Sequence, residues 1–102
     1  ILNDTKLLEQ AGVFSIVLEC VETKLSKKIT DQIKIPTIGI GSSANCDGQI
    51  LVIDDLIGMS NSKLKFVKKY ADIKKVINSA VKSYKLEVLK KKFPQAKHSF
   101  KM

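Results

Sequence analysis

Arginine and tryptophan are missing from these 102 residues, and histidine occurs once. The first absence bears directly on partners. All eighteen basic residues are lysine, whereas arginine is the side chain favoured for bidentate contacts to phosphate and guanine. The formal net charge of +8 is thus only an electrostatic footprint, and nucleic-acid binding is disfavoured. The lone His98 lies in a polar tail with no carboxylate or cysteine beside it, which reads as surface rather than catalytic. Cysteine occurs twice, at Cys20 and Cys46, without metal-binding spacing, so reduced thiols in a cytoplasmic protein are expected. No run approaches the ~18 apolar residues of a membrane helix. The N-terminus has no basic region leading into an apolar stretch, so no signal peptide is expected. A start at Ile1 rather than Met reads as an incomplete or trimmed product.

What is present is the composition of a soluble globular chain, 44% hydrophobic and 27% charged. It is enough for one domain that buries about 60 to 70% of its unfolded surface. Charge is divided unevenly. Residues 1–55 hold five lysines and eight acids, net −3, and residues 56–102 hold thirteen lysines and two acids, net +11.

The chain is organised around residues 13–18, an apolar run that is rich in β-branched side chains and too short for an independent helix. It reads as a strand buried on both faces. Glu19 closes it at the carboxyl end, where sheets built from β-α-β units bind ligands and project catalytic groups. A strand-end glutamate that only faces water or caps the next helix is the competing reading.

Leu2, Leu7, Leu8 and Ala11 recur at helical spacing before this strand, with Gly12 as the stop. After it, Leu25, Ile29 and Ile33 define one face of a second amphipathic helix over residues 22–33. Residues 35–41 form a second strand that tolerates Pro36 at its start. This alternation implies parallel pairing through right-handed crossovers. Residues 41–48 are a turn-rich loop that either binds an anion through backbone N–H groups or only connects. Its Gly39-x-Gly41 does not extend into a nucleotide-binding fingerprint. Residues 49–57 read either as a strand or as a helix capped by Asp47 and stopped by Gly58, and the alternation favours the helix. Residues 65–70 read as a third strand. From Asp72 as cap, Ile73, Val76, Ile77, Ala80, Val81, Tyr84 and Val88 mark a long helix whose lysines lie mostly on a solvated face, ended by Phe93-Pro94.

Taken in order, Gly12-Val13-Phe14, the Val17 to Val21 block Val-Leu-Glu-Cys-Val, and the Ile35 to Gly41 block Ile-Pro-Thr-Ile-Gly-Ile-Gly form one series. Cys46-Asp47-Gly48-Gln49-Ile50-Leu51-Val52, the Lys65 to Asp72 block, Phe93-Pro94 and His98-Ser99-Phe100 continue it. Together they resemble the C-terminal part of the ketopantoate (3-methyl-2-oxobutanoate) hydroxymethyltransferase family over nearly the whole chain. The resemblance implies an α/β fold, a (β/α)8 TIM barrel of the phosphoenolpyruvate/pyruvate type. Residues 1–102 would supply its fifth through eighth helices and its sixth to eighth strands, with Ile16, Leu18, Ile38 and Ile40 pointing into the barrel.

It also implies transfer of a one-carbon unit from 5,10-methylenetetrahydrofolate to the keto acid 3-methyl-2-oxobutanoate, giving 2-dehydropantoate on the route to pantothenate. Mg²⁺ would hold the keto acid through ligands absent from this chain. Glu19 matches the family's catalytic acid/base group, and Ile40 and Ile50 match apolar positions of the substrate pocket. The full enzyme is expected to be a cytoplasmic homo-oligomer, and this chain alone inactive. Three positions depart from the family pattern: Gly41-Ser42-Ser43 replaces Gly-Ala-Gly, Glu22 replaces proline and Asp54 stands where histidine is common. A non-catalytic remnant and a small basic nucleic-acid-binding module are the alternatives.

Overall fold

In the computed structural model, which describes residues 1–101, helices and strands alternate as far as β2. The order is α1 (Leu2–Gln10), β1 (Ile16–Glu19), α2 (Thr23–Gln32), β2 (Thr37–Ile40), β3 (Gly48–Gln49), α3 (Ile53–Leu56) and α4 (Ile73–Leu89), then a 3-10 turn at Ala96–His98. The strands lie side by side in chain order and both pairings are parallel, β1 with β2 through the α2 crossover as the alternation predicts, and β2 with β3 through a loop. Ile16 stands opposite Thr37 and Glu19 opposite Ile40, while Ile38 and Gly39 stand opposite Gly48 and Gln49.

The core is built on one face of this sheet. Ile16 and Leu18 of β1 meet Ile29 and Ile33 of the α2 stripe together with Cys46, and Leu2, Val13, Val21, Leu25 and Ile35 close around them. Side chains two apart on a strand share a face, so Val17 and Glu19 project from the other side, where Val17 is 55% exposed. Two expectations are corrected here. The first strand is buried on one face rather than both, and Ile16 and Leu18 point at α2 rather than into a barrel interior. The cause is that α1 and α2 cover one side of the sheet only. In β2 the buried positions are Thr37 and Gly39, with Ile38 and Ile40 half-buried on the opposite side.

Polar groups on the covered face are satisfied within the chain. The fully buried Thr37 hydroxyl lies 2.8 Å from Thr30 Oγ1, the Thr37 N–H donates to Asp47 Oδ2 at 2.9 Å, and the Asp47 N–H donates back to Thr37 Oγ1 at 3.2 Å. Among the described residues no buried side-chain nitrogen or oxygen lacks a partner.

Three further readings are revised. Asp47 caps no helix, because its carboxylate is taken by Thr37. Residues 49–57 split instead into the end of a two-residue strand and the single turn α3, with Gly58 at φ +80° after it. Residues 65–70 form no strand: they run as turn and irregular chain, pinned by the Tyr70 N–H donating to Leu56 O at 2.7 Å. Asp72 sits at the α4 N-cap but its side chain bonds no helix N–H, lying 3.8 Å from Lys75 Nζ.

Helix α4 has no buried residue. Its stripe of Val76, Ile77, Val81, Tyr84 and Val88 is exposed, apart from the edge contact of Tyr84 with Phe93, 5.7 Å between ring centres. The molecule therefore extends over 70 × 31 × 16 Å with a radius of gyration of 23.3 Å, against about 13 Å for a compact chain of 100 residues. An unpartnered apolar stripe and an unpaired β1 edge both favour association with other chains. We expect the isolated chain to sediment above monomer mass, and Ile77→Lys with Val81→Glu to shift it toward monomer. Analytical ultracentrifugation checks this, and a compact monomer for the unaltered chain would contradict it.

Candidate functional site

Glu19 is the last residue of β1 and its register partner is Ile40, the last residue of β2. The Ile50 N–H donates to Gly39 O at 3.0 Å, which carries the β2–β3 ladder one step further and sets Ile50 beside Ile40. Parity then fixes the face. A Cβ built on Gly39 would meet Cys46 Sγ on the covered side, and one on Gly48 would meet Ile38 on the open side. Ile40 and Ile50, two residues beyond Ile38 and Gly48, share that open side with Glu19. The three residues picked out by sequence thus form one row across the carboxyl ends of the strands. Glu19 is exposed, and the ion pairs of the described residues lie elsewhere.

The chain beyond this row is held by contacts that composition did not single out. Cys20 adopts φ +54°, a left-handed conformation uncommon outside glycine, and its N–H donates to Ile40 O at 2.9 Å. Ser42 Oγ donates to Leu18 O at 2.7 Å and accepts from the Val21 N–H at 3.0 Å. One hydroxyl therefore ties the loop after β2 to both sides of Glu19. The Ser43 hydroxyl accepts from the Asn45 N–H, and its carbonyl accepts from the Gln49 side-chain amide. Both serine hydroxyls are thus used in backbone bonding. A serine just after a strand-end glycine is the signal in the sequence for such stitching, since short hydroxyl side chains bond nearby backbone.

Gly41, at φ +66°, lies under the ring of Phe66, and a Cβ there would sit 2.8 Å from Phe66 Cγ. Phe66, in the segment that forms no strand, thereby covers the chain just beyond β2. Between that segment and β1 lies a cavity of about 530 Å³ walled by Cys20, Val21, Glu22, Ser42, Lys65 and Phe66. Glu19, Ile40 and Ile50 are outside its walls, and Cys20 is the link between row and cavity. Glu22 caps α2, its two carboxylate oxygens accepting from the Lys24 and Leu25 N–H groups at 3.0 and 2.9 Å. The glutamate thereby satisfies two of the first N–H groups of the helix. Among the described residues no group of three or more His, Cys, Asp or Glu side chains converges as a metal site. His98 Nδ1 accepts from the Gln95 N–H in the tail.

A parallel α/β unit with its helices on one face and a carboxylate among apolar side chains at the carboxyl ends belongs to the class of enzymes that bind ligands at that edge. Comparison with known proteins narrows this. The family model described as ketopantoate hydroxymethyltransferase matches residues 1–96, and the chain belongs to that family. It is 60% identical over 98% of its length to the 3-methyl-2-oxobutanoate hydroxymethyltransferase of Pelagibacter ubique, covering 39% of that protein. Proteins of the same name from Carboxydothermus hydrogenoformans and Clostridioides difficile are each 54% identical over 100% and 98% of the chain, which covers 37% of either one. The chain thus spans under two-fifths of the length of these relatives. No helix among the described residues is long and apolar enough to cross a membrane.

The bonds from the Lys24 N–H, and then from the Leu25 N–H, hold the Glu22 carboxyl below its ordinary value of 4.5. A depressed carboxyl stabilises the fold fully above its unfolded pKa, and that stability is lost as pH falls through the lower folded value. We expect Glu22→Ala to reduce helicity at neutral pH, with the difference from the unaltered chain closing under acid. Circular dichroism of both chains across this range checks it, and a Glu22 carboxyl titrating at or above 4.5 by NMR would contradict it.

Proposed function

We propose that residues 1–102 form the C-terminal part of a (β/α)8 barrel of the phosphoenolpyruvate/pyruvate type, and that the complete protein transfers a one-carbon unit from 5,10-methylenetetrahydrofolate to 3-methyl-2-oxobutanoate. The product is 2-dehydropantoate, a precursor of pantothenate. Supporting the barrel are parallel strands in chain order with both packed helices on one side, since a barrel keeps its helices outside and its catalytic ends on one rim. The observation that carries the functional reading is the row Glu19, Ile40, Ile50 on the uncovered face.

In this reading Glu19 is the acid/base group that moves protons on the keto acid. Removing a proton from the carbon beside the carbonyl makes that carbon the nucleophile, and the exposed carboxylate at the strand end is free to take it. Ile40 and Ile50 give the keto acid's branched apolar end a dry surface beside the carboxylate. Ser42 and the Cys20 turn keep Glu19 in place, which matters because a displacement on the order of 0.5 Å is costly in a catalytic constellation. A Mg²⁺ ion needs several oxygen ligands. The described residues do not converge to supply them, so no step is routed through a metal on this chain. We place the protein in the cytoplasm as a homo-oligomer, readings supported by free thiols at Cys20 and Cys46 and by the exposed stripe of α4. We expect the 102-residue chain to be inactive without the rest of the barrel.

The test is Glu19→Gln in the complete protein. Turnover should fall about 10²- to 10⁴-fold, the usual contribution of a general acid/base group, with keto acid binding retained. Unchanged turnover would remove Glu19 from the mechanism.

A further inference from the structure

A second cavity, of about 460 Å³, is walled by Ser60, Asn61, Ser62, Lys63, Lys69 and Lys74. It belongs to the segment that follows β3 and α3 and ends in the first turn of α4, the same segment whose Phe66 covers Gly41 at the strand ends. The ion pairs among the described residues join the N-terminus to Asp4, Lys27 to Asp31 and Lys75 to Asp72, so none of them neutralises Lys63, Lys69 or Lys74. Lys74 Nζ donates to Asn61 Oδ1, which leaves it further donors. The nearby Asp55 carboxylate accepts from the Ser60 hydroxyl and is not among the walls. The base of the segment is fixed by the Tyr70 N–H donating to Leu56 O and the Ile73 N–H donating to Ile57 O at 3.0 Å.

Three like charges in one concave site repel one another, and a concave wall of one sign concentrates counter-ions of the other. The volume falls in the range of organic-ligand pockets, about 300 to 1,000 Å³, which suits an extended anion better than a single small one. Lysine is a point charge on a flexible stem without the planar fork of arginine, so three of them can follow anionic groups spaced along a flexible chain. We propose that Lys63, Lys69 and Lys74, with Ser60, Asn61 and Ser62, form a subsite for an organic anion bearing several carboxylates, such as a short γ-linked glutamyl chain. The inference rests on the preceding functional reading only in naming the glutamyl end of the one-carbon donor as the source of those carboxylates.

Tri-γ-glutamate is the probe, titrated calorimetrically into the chain at low salt, with single glutamate and inorganic phosphate as comparisons. Tri-γ-glutamate should bind more tightly than either, and added salt should weaken it. Lys63→Gln, Lys69→Gln and Lys74→Gln should each loosen binding about 2- to 5-fold, as exposed ion pairs do, and the triple variant should abolish it. Lys82→Gln, on the exposed part of α4, should leave it unchanged, and circular dichroism of each variant should match the parent. Absence of binding, equal binding by the triple variant, or inorganic phosphate binding as tightly as tri-γ-glutamate would overturn the proposal. Because the readout is binding rather than turnover, Glu19→Gln should leave it intact. An active Glu19→Gln enzyme would refute the catalytic reading without touching this one, and failure of tri-γ-glutamate to bind would do the reverse.

Discussion

Burial of Ile16 and Leu18 against Ile29 and Ile33 is the constraint from which the rest of the arrangement follows. A parallel pair has side chains on two faces, and here a helix layer covers one of them. Once alternate residues of β1 are committed to α2, the two-residue period of a strand commits Val17 and Glu19 to the other side. The register of β1 against β2 then carries Ile40 to Glu19, and the β2–β3 ladder carries Ile50 to Ile40. A slip of one residue would bury the carboxylate under α2 and expose Leu18, so the hydrophobic core and the direction of the candidate catalytic group are one decision.

Direction alone does not fix a strand end, which is otherwise free to fray. That role falls to polar atoms on the carboxyl side of the sheet. Ser42 bonds Leu18 before Glu19 and Val21 after it, and Cys20 turns the chain through a left-handed conformation between them. Glu22 then starts α2 by accepting two helix N–H groups. Side chain after side chain at this corner is spent on backbone groups. Glu19, lying among them, makes no such bond, and its carboxylate stays exposed on the uncovered face.

Much of this architecture was legible in sequence because it rests on local period. The helix at Leu25, Ile29 and Ile33, the strand before Glu19 and the parallel alternation depend on patterns within a dozen residues. The failures share another cause. Asp47 reads as a helix cap until Thr37, ten residues away, takes its carboxylate and with it the start of the helix expected at residues 49–57. Residues 65–70 have the composition of a strand, but they pair with neither open edge of the β1-β2-β3 ladder, and Phe66 instead lies on Gly41. Glu19 was visible as a lone carboxylate closing an apolar run. Ser42 was not, because its function depends on two backbone groups that become neighbours only after β1 and β2 pair.

The distribution of lysine can be weighed in the same terms. A half-chain of net +11 suggests a broad basic surface, yet its charges fall into two physical settings. On α4 beyond its first turn the lysines flank an exposed apolar stripe, where water and salt screen each of them. Between α3 and the first turn of α4, Lys63, Lys69 and Lys74 meet in a cavity with a fixed base, where their fields add. Charge count alone cannot separate these settings, since a surface lysine and a pocket lysine contribute equally to a net value. The separation comes from Gly41 and Gly58: the first lets Phe66 lie over the chain just beyond β2, and the second, at φ +80°, lets the chain turn back beside Ala71. The loop they shape places a cationic pocket on the segment whose Phe66 packs on Gly41, beside the end of the sheet at which the row of Glu19, Ile40 and Ile50 stands open.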